Sequence, residues 1–285
     1  MLTILEAIRL STDYLAKKGI ESARTNAELL LADILKCDRL KLYLSFEKPL
    51  TEAETVKYRE SIQRRGKFEP LQYITGKVDF YGMEFITRPN VLIPRPETEF
   101  LIETVINRFG KSAQLKMLDI GCGTGIIPVS LAALYTNSDI LSIDINEDAL
   151  NCAIENAQKH GVENKIKFEK LDILSDEADI KLPLFDLIIS NPPYVSAGEF
   201  ETLQKEITDF EPGNAVTDYG DGLTFYKRII PLAKEKLNSG GWLVFEMGKG
   251  QSIDIKNLFE EHGYTEVEII PDLQKIDRVI IGRKK

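Results

Sequence analysis

The residues best equipped for chemistry in this chain are Asn191-Pro192-Pro193-Tyr194. They follow Phe185-Asp186-Leu187-Ile188-Ile189-Ser190, an apolar run that reads as a buried strand ending at the motif. Two consecutive prolines fix φ, and each pushes the residue before it toward extended backbone. The segment is therefore neither helix nor regular sheet but a stiff loop at a strand end. It carries one amide and one phenol, and Pro192 keeps its carbonyl as a free acceptor. An amide oxygen beside a fixed carbonyl can seat a planar –NH2 group. The two oxygens accept both N–H hydrogens and leave the nitrogen face open. The Tyr194 ring can pack on that planar group or on a cation. Taken alone, the tetrapeptide is equally a strand-to-loop turn.

Upstream residues add a second function. A strand-like run at 115–120 ends in Asp119-Ile120-Gly121-Cys122-Gly123-Thr124-Gly125. Glycines at alternate positions let the backbone turn sharply and approach a ligand before the next helix. The next strand ends in Ile143-Asp144, and an acidic residue about 20 positions past the first glycine is placed to bind ribose hydroxyls. Capping of the following helix is the alternative for Asp144, since Asn146-Glu147-Asp148 comes next. A dinucleotide loop usually reads Gly-x-Gly-x-x-Gly. Here the third glycine comes one position early, and Asp119 would repel a pyrophosphate. S-adenosylmethionine has a sulfonium, an ammonium and no phosphate, so it fits better than a nicotinamide dinucleotide. A third strand end, Leu171-Asp172-Ile173, supplies a carboxylate for an adenine amino group and an apolar face for the ring. A surface turn is the equal alternative for Asp172.

Elements that could position these residues follow from the pattern. Strand-like runs at 115–120, 139–144, 166–171, 185–190, 241–246, 264–270 and 277–283 alternate with helical stretches near 125–135, 147–160, 222–237 and 251–262. That rhythm predicts a mostly parallel seven-stranded sheet with helices on both faces and ligands at the strands' carboxyl ends. Residues 1–75 read as helices only. Gly19 ends the first, Thr25-x-x-Glu28 and Thr51-x-x-Glu54 look like capping boxes, and Gly66 closes a helix. Residues 78–86 read as a hairpin, and Pro89, Pro94 and Pro96 mark a stiff linker. The expected division is a helical domain at 1–75, a hairpin and linker at 76–96, and an α/β domain at 97–285.

Bulk properties limit the function classes. The 285 residues are 43% hydrophobic and 28% charged, an ordinary globular composition. Cys37, Cys122 and Cys152 are widely spaced, and with two histidines no metal site is expected. Reduced thiols fit a cytoplasmic compartment. No apolar run reaches a membrane span. The first 18 residues read as a domain helix rather than a signal. Residues 1–90 carry 15 Lys+Arg against 13 Asp+Glu, while the remainder carries 21 against 32. The acidic remainder argues against stable nucleic-acid binding. The cluster Arg64, Arg65 and Lys67 reads first as a solvated helix end and second as a binding patch.

The four strand ends, in this order, resemble class I (Rossmann-like) methyltransferases acting on amino groups conjugated to π systems. Two linker motifs sharpen the resemblance: Glu69-Pro70-Leu71-Gln72-Tyr73-Ile74-Thr75-Gly76 and Leu92-Ile93-Pro94-Arg95-Pro96-Glu97-Thr98-Glu99. With Phe210-Glu211-Pro212, Asp221-Gly222-Leu223-Thr224-Phe225-Tyr226 and Arg278-Val279, nearly the whole chain is similar to the release-factor glutamine N5-methyltransferases, the HemK/PrmC family. Cys122 in the glycine loop and Pro128 in the next helix are mild departures. The resemblance implies methyl transfer from S-adenosylmethionine, leaving S-adenosylhomocysteine. The implied target is the glutamine of the Gly-Gly-Gln motif in class I peptide chain release factors. It implies catalysis by Asn191, Pro192 and Tyr194, with Pro193 completing the substrate seat. Cofactor contacts would come from Asp119, Gly121, Cys122, Gly123, Thr124, Gly125, Asp144, Asp172, Ile173 and Asn191. The helical domain would dock a remote part of the release factor. Arg95 either organises the linker or pairs with Glu97 or Glu99. The rival readings are a nucleic-acid amino methylase, a non-catalytic binding protein with the same fold, and a nicotinamide oxidoreductase.

Overall fold

The computed structural model describes residues 2–285. It divides into two compact units, one ending at Lys77 and one beginning at Val78.

The first unit is helical: Ile4–Lys17, Ala23–Ile34, Arg39–Leu44, Glu52–Arg65 and Leu71–Thr75. Ile4, Ile8, Leu15, Leu30, Leu31 and Ile62 form its core, as amphipathic spacing requires. The Thr51–Glu54 capping box is present, and Thr3 and Glu6 form another. Thr25 and Glu28 do not form one. Their helix starts earlier, at Ala23, so Glu28 falls in its interior. There it is 1% exposed and accepts from Arg24 Nε at 2.8 Å, Arg39 Nη2 at 2.6 Å and the Tyr43 hydroxyl at 2.9 Å. Burial pushes its carboxyl up, but those hydrogen bonds outweigh burial and hold it below the ordinary range. The basic cluster sits mainly at a helix end. Arg64 pairs with Glu69, Arg65 donates to Asn26 Oδ1 at 2.7 Å, and Lys67 is exposed.

The strands are β1 (Lys77–Phe80), β2 (Met83–Ile86), β3 (Leu115–Ile120), β4 (Ser138–Asp144), β5 (Ile166–Lys170), β6 (Phe185–Ser190), β7 (Leu237–Glu246), β8 (Tyr264–Pro271) and β9 (Asp277–Lys284). β1 and β2 form the expected hairpin, and Phe80 and Phe85 pack into the second unit's core. The other seven form one sheet in the order β5-β4-β3-β6-β7-β9-β8. In that sheet β9 alone points opposite to the other six strands. Successive residues of β3, β6 and β7 alternate between two cores. Met117, Leu187 and Val244 pack on one face, Leu118, Ile188 and Leu243 on the other. Burial on both faces explains why these strands read as continuous apolar runs.

Two regions differ from expectation. The linker after Pro96 turns at once into a helix, Glu99–Phe109, whose Leu101, Ile102 and Val105 join the first core. Residues 195–223 carry short helices at Ala197–Phe200, Lys205–Phe210 and Gly213–Val216, too short for periodicity to reveal.

The interior place of Glu28 separates it from Thr25. Glu28→Ala should cost the protein about 1–3 kcal/mol by leaving the Tyr43 hydroxyl and two guanidiniums without their acceptor. Thr25→Ala should stay within about 0.5 kcal/mol. Urea unfolding of both variants measures this, and a larger cost at Thr25 would restore the capping box.

Candidate active site

The parallel strand order reverses between β3 and β6, which opens a crevice at their carboxyl ends. A cavity of about 270 Å³ occupies it. Gly121, Gly123, Asp144, Asp172, Ile173 and Asn191 all line this cavity, with Pro192 and Pro193 beside them. Four strand ends therefore meet as the sequence pattern requires.

The glycine loop is built for approach. Gly121 and Gly123 have φ of +83° and +53°, and a Cβ on either would meet no protein atom. Their requirement is backbone conformation and open space, as a ligand cradle needs. The loop is pinned to β4, because Gly121 N donates to the Ile143 carbonyl at 2.8 Å and Gly123 N to Asp144 Oδ2 at 3.0 Å. Asp144 Oδ1 accepts from Asn146 N at 2.8 Å, while Asn146 itself caps the next helix. Asp144 thus has a fixed carboxylate facing the cavity, and the cap belongs to Asn146. Burial raises its carboxyl from the ordinary value, opposed by backbone amides including those of Asn146 and Gly123. Asp172 makes a turn, accepting from Leu174 N at 2.9 Å, and also lines the cavity. The turn and a place at the cavity are compatible in that residue.

Four residues expected at the cofactor are not in the lining. Cys122 is buried among Val91, Ala149 and Cys152, and burial pushes its thiol well up. Thr124 is 1% exposed, and its carbonyl accepts from Asn156 Nδ2 at 2.9 Å. Gly125 lies where a Cβ would come within 2.9 Å of Ala153 Cβ, so it lets two helices close on each other. Asp119 is buried on β3, with Oδ2 accepting from Ser142 at 2.6 Å and Oδ1 without a partner. The cavity instead takes Asn90, Val91 and Leu92 from the linker and Asn214, Ala215 and Phe225 from beyond β6. The two proline motifs were the only signal for the linker residues.

A second cavity of about 250 Å³ shares Leu92, Asn191, Pro192 and Ala215 with the first. Tyr194, Arg95, Val195, Leu203, Ile207 and Val216 complete it. Asn191 donates its Nδ2 to Thr98 Oγ1 at 3.2 Å, which leaves its oxygen free to accept. The Tyr194 backbone oxygen accepts from Gln251 Nε2 at 2.9 Å, and its hydroxyl lies 3.4 Å from Glu246 Oε1. A Cβ at Gly222 would come within 2.3 Å of the Tyr194 carbonyl, so the Asp221-Gly222 motif gives that loop room to pass. Arg95 pairs with neither Glu97 nor Glu99. Its Nη2 binds Glu211 Oε1 at 2.6 Å, and the Ile93 N–H donates to Glu211 Oε2 at 3.1 Å. Glu99 is engaged elsewhere, accepting from Tyr81 N at 2.7 Å. Among the described residues no cluster of three or more His, Cys, Asp or Glu side chains could hold a metal. No helix among them is long and apolar enough to cross a membrane.

Burial pushes the Asp119 carboxyl up from 3.8 to about 7, Asp144 adds to the rise, and the Ser142 hydroxyl opposes it. The fold therefore favours the neutral acid. Its contribution to stability is full below 3.8 and is lost as pH rises through about 7. Asp119→Asn is neutral throughout. Its stability relative to the parent should grow between about pH 4 and pH 8, with a ceiling of about 4 kcal/mol. Thermal unfolding at both pH values tests this, and a constant difference would contradict it.

Residues 6–76 match the PrmC N-terminal domain, and residues 111–264 match a methyltransferase domain. The release factor glutamine methyltransferase of Geobacter sulfurreducens is 39% identical over 281 residues, 99% of this chain and 96% of the relative. That of Bacillus subtilis is 38% identical over 290 residues, 98% of this chain and 97% of the relative. A solved 16S rRNA methyltransferase from T. thermophilus, in complex with AdoMet and guanosine, shares the fold at a TM-score of 0.53 and 17% identity. That likeness covers 73% of this chain and 50% of the other. Near-complete coverage at such identity, over both the helical and the α/β part, places this chain in the release factor glutamine methyltransferase family.

Proposed function

We propose that this protein transfers a methyl group from S-adenosylmethionine to the side-chain amide nitrogen of the Gly-Gly-Gln glutamine in class I peptide chain release factors. The observation that supports this most is the pair of cavities sharing the wall of Asn191 and Pro192. One cavity suits a cofactor and the other an amide-bearing side chain, with the acceptor seat between them.

The first cavity's residues fit the cofactor. Gly121 and Gly123 leave open space, Asp144 offers fixed carboxylate oxygens for a ribose, and Ile173 with Leu171 and Ile143 gives apolar surface for a flat ring. Asp119 lies outside this lining, a buried carboxyl with one oxygen that no protein atom bonds. When bound, S-adenosylmethionine supplies an electrophilic methyl on a sulfonium that leaves as a neutral thioether.

The chain's own residues then have to make a poor nucleophile react. An amide lone pair is delocalised into its carbonyl. The Asn191 oxygen and the Pro192 carbonyl accept the two amide hydrogens and fix the nitrogen's face toward the methyl. Tyr194 packs the amide plane. As the new N–C bond forms, the nitrogen becomes acidic and one held proton is released to solvent. No strong base is needed beforehand. Positioning and preorganised dipoles carry most of the rate. Val195, Leu203, Ile207 and Val216 of the second cavity give apolar surface for the aliphatic part of the glutamine. Residues 1–75 dock a remote part of the release factor, so binding energy there supports chemistry at the site.

Mass spectrometry of release factor after incubation with enzyme and cofactor should show one added methyl on the Gly-Gly-Gln glutamine. Transfer to DNA or RNA instead would assign the other acceptor class. Asn191→Ala should lower kcat by about 100-fold or more while leaving cofactor Kd within about twofold. Parallel loss of both would sink the role assigned to Asn191. Removing residues 1–75 should harm methylation of intact release factor far more than that of a short Gly-Gly-Gln peptide. Equal losses would refute docking.

A further inference from the structure

Behind the acceptor seat lies a buried polar chain that the mechanism above does not use. Glu246 ends β7 and is 0% exposed. Thr98, 1% exposed, stands beside it and holds its carboxyl down, and the Tyr194 hydroxyl donates to its Oε1 at 3.4 Å. Thr98 Oγ1 is also the atom that accepts from Asn191 Nδ2. Glu246 Oε2 has no partner. A carboxyl with one unsatisfied oxygen in a dry interior is costly, and a stable fold keeps such a group where it has work to do.

We propose that Glu246 and Thr98 are positioning residues: the Glu246 carboxylate takes hydrogens from Thr98 and Tyr194, and so turns the Asn191 amide with its oxygen toward the acceptor. This rests on the reading of Asn191 as the acceptor's seat. The direction of the chain follows from donor arithmetic. A hydroxyl has one hydrogen. If Thr98 gives its hydrogen to an ionised Glu246, its lone pairs face Asn191 and select the amide's –NH2 end. The Asn191 oxygen is then left for the substrate. A protonated Glu246 can donate to Thr98 instead. Thr98 then turns its own hydrogen on Asn191, selects the amide oxygen, and presents –NH2 to another –NH2. That arrangement cannot seat an amide nitrogen. The same carboxylate fixes the Tyr194 ring, whose hydroxyl burial pushes well up, with Glu246 adding to the rise. The phenol therefore stays a donor.

The groups around Glu246 set when it ionises. Burial pushes its carboxyl up to about 7; the Thr98 and Tyr194 hydroxyls and the Arg278 charge oppose this, and Glu97 adds to it. Arg278 is shared with Asp272, whose Oδ2 accepts its Nε at 3.0 Å. The Tyr226 hydroxyl donates to the Glu246 backbone oxygen at 2.8 Å and holds the strand end in place. Activity should therefore fall as pH drops through about 7.

Three substitutions in the full-length chain test the inference, with kcat and KM for release-factor methylation measured across this pH range and cofactor Kd by calorimetry. Thr98→Val should lower kcat by about tenfold or more with cofactor Kd within about twofold. Thr98→Ser should recover most of the rate. Glu246→Gln should lower kcat and flatten the acid limb of the parent's profile. Parent-like kcat in both Thr98→Val and Glu246→Gln would overturn the inference alone. So would equal loss of rate and cofactor affinity in the folded variants. If the unaltered protein does not methylate release factor, the proposed function falls first, and the positioning role falls with it.

Discussion

A parallel sheet packed on both faces has only its ends open. Helices cover both sides here, so the sole place for polar chemistry is the edge where strands finish. Register then decides which residues meet there. Ile120 of β3 pairs with Ser190 of β6, and Ser190 pairs with Phe245 of β7. The next residue along each strand is Gly121, Asn191 and Glu246. Three apolar ladders thus deliver a glycine turn, an amide and an acid to one row. A slip of one residue would exchange the two cores and scatter that row.

The edge has a cost in buried charge. Asp119 and Glu246 lie on the strands flanking β6, and each has one carboxyl oxygen without a partner. Apolar residues at both positions would pack with less penalty. Their place on either side of the Asn191 strand gives the cost a purpose. Asp119 lies just before the glycine loop, and Glu246 lies within 3.4 Å of the Tyr194 hydroxyl. Both acids sit with carboxyls raised toward neutrality, poised where modest changes in surroundings alter their charge.

The sheet and the strand-end motifs were legible because apolar runs, alternate glycines and paired prolines are local signals. The Glu99–Phe109 helix was obscured by the prolines just before it. Glu28 was misread because a capping box is recognised by spacing alone, and the helix began two residues before Thr25. The Arg95 partner was illegible for a different reason. Glu211 is far along the chain, and nearer glutamates offered themselves. Glu246 carried a readable hint. It closes Gly-Gly-Trp-Leu-Val-Phe-Glu much as Asp119, Asp144 and Asp172 close or follow their strands. Thr98, which accepts from Asn191, lies far from both in the chain, and no spacing rule brings those three together.

The wall shared by the two cavities explains why distant motifs accompany the Asn-Pro-Pro-Tyr loop. Leu92 and Ala215 border both spaces. Leu92 is carried by the linker and Ala215 by the segment after Phe210-Glu211-Pro212. Glu211 fastens these segments by accepting from Ile93 N and from Arg95. Its side chain is 2% exposed and that of Arg95 is 30% exposed, so the pair is mostly closed to water. Removing one partner from a buried pair costs about 3–5 kcal/mol because the other charge stays unpaired. The ion pair is therefore better seen as a register pin than as a source of net stability. It holds the linker against the wall that the two cavities share. Two adjoining spaces keep a common boundary only if both sides are placed by the same residues.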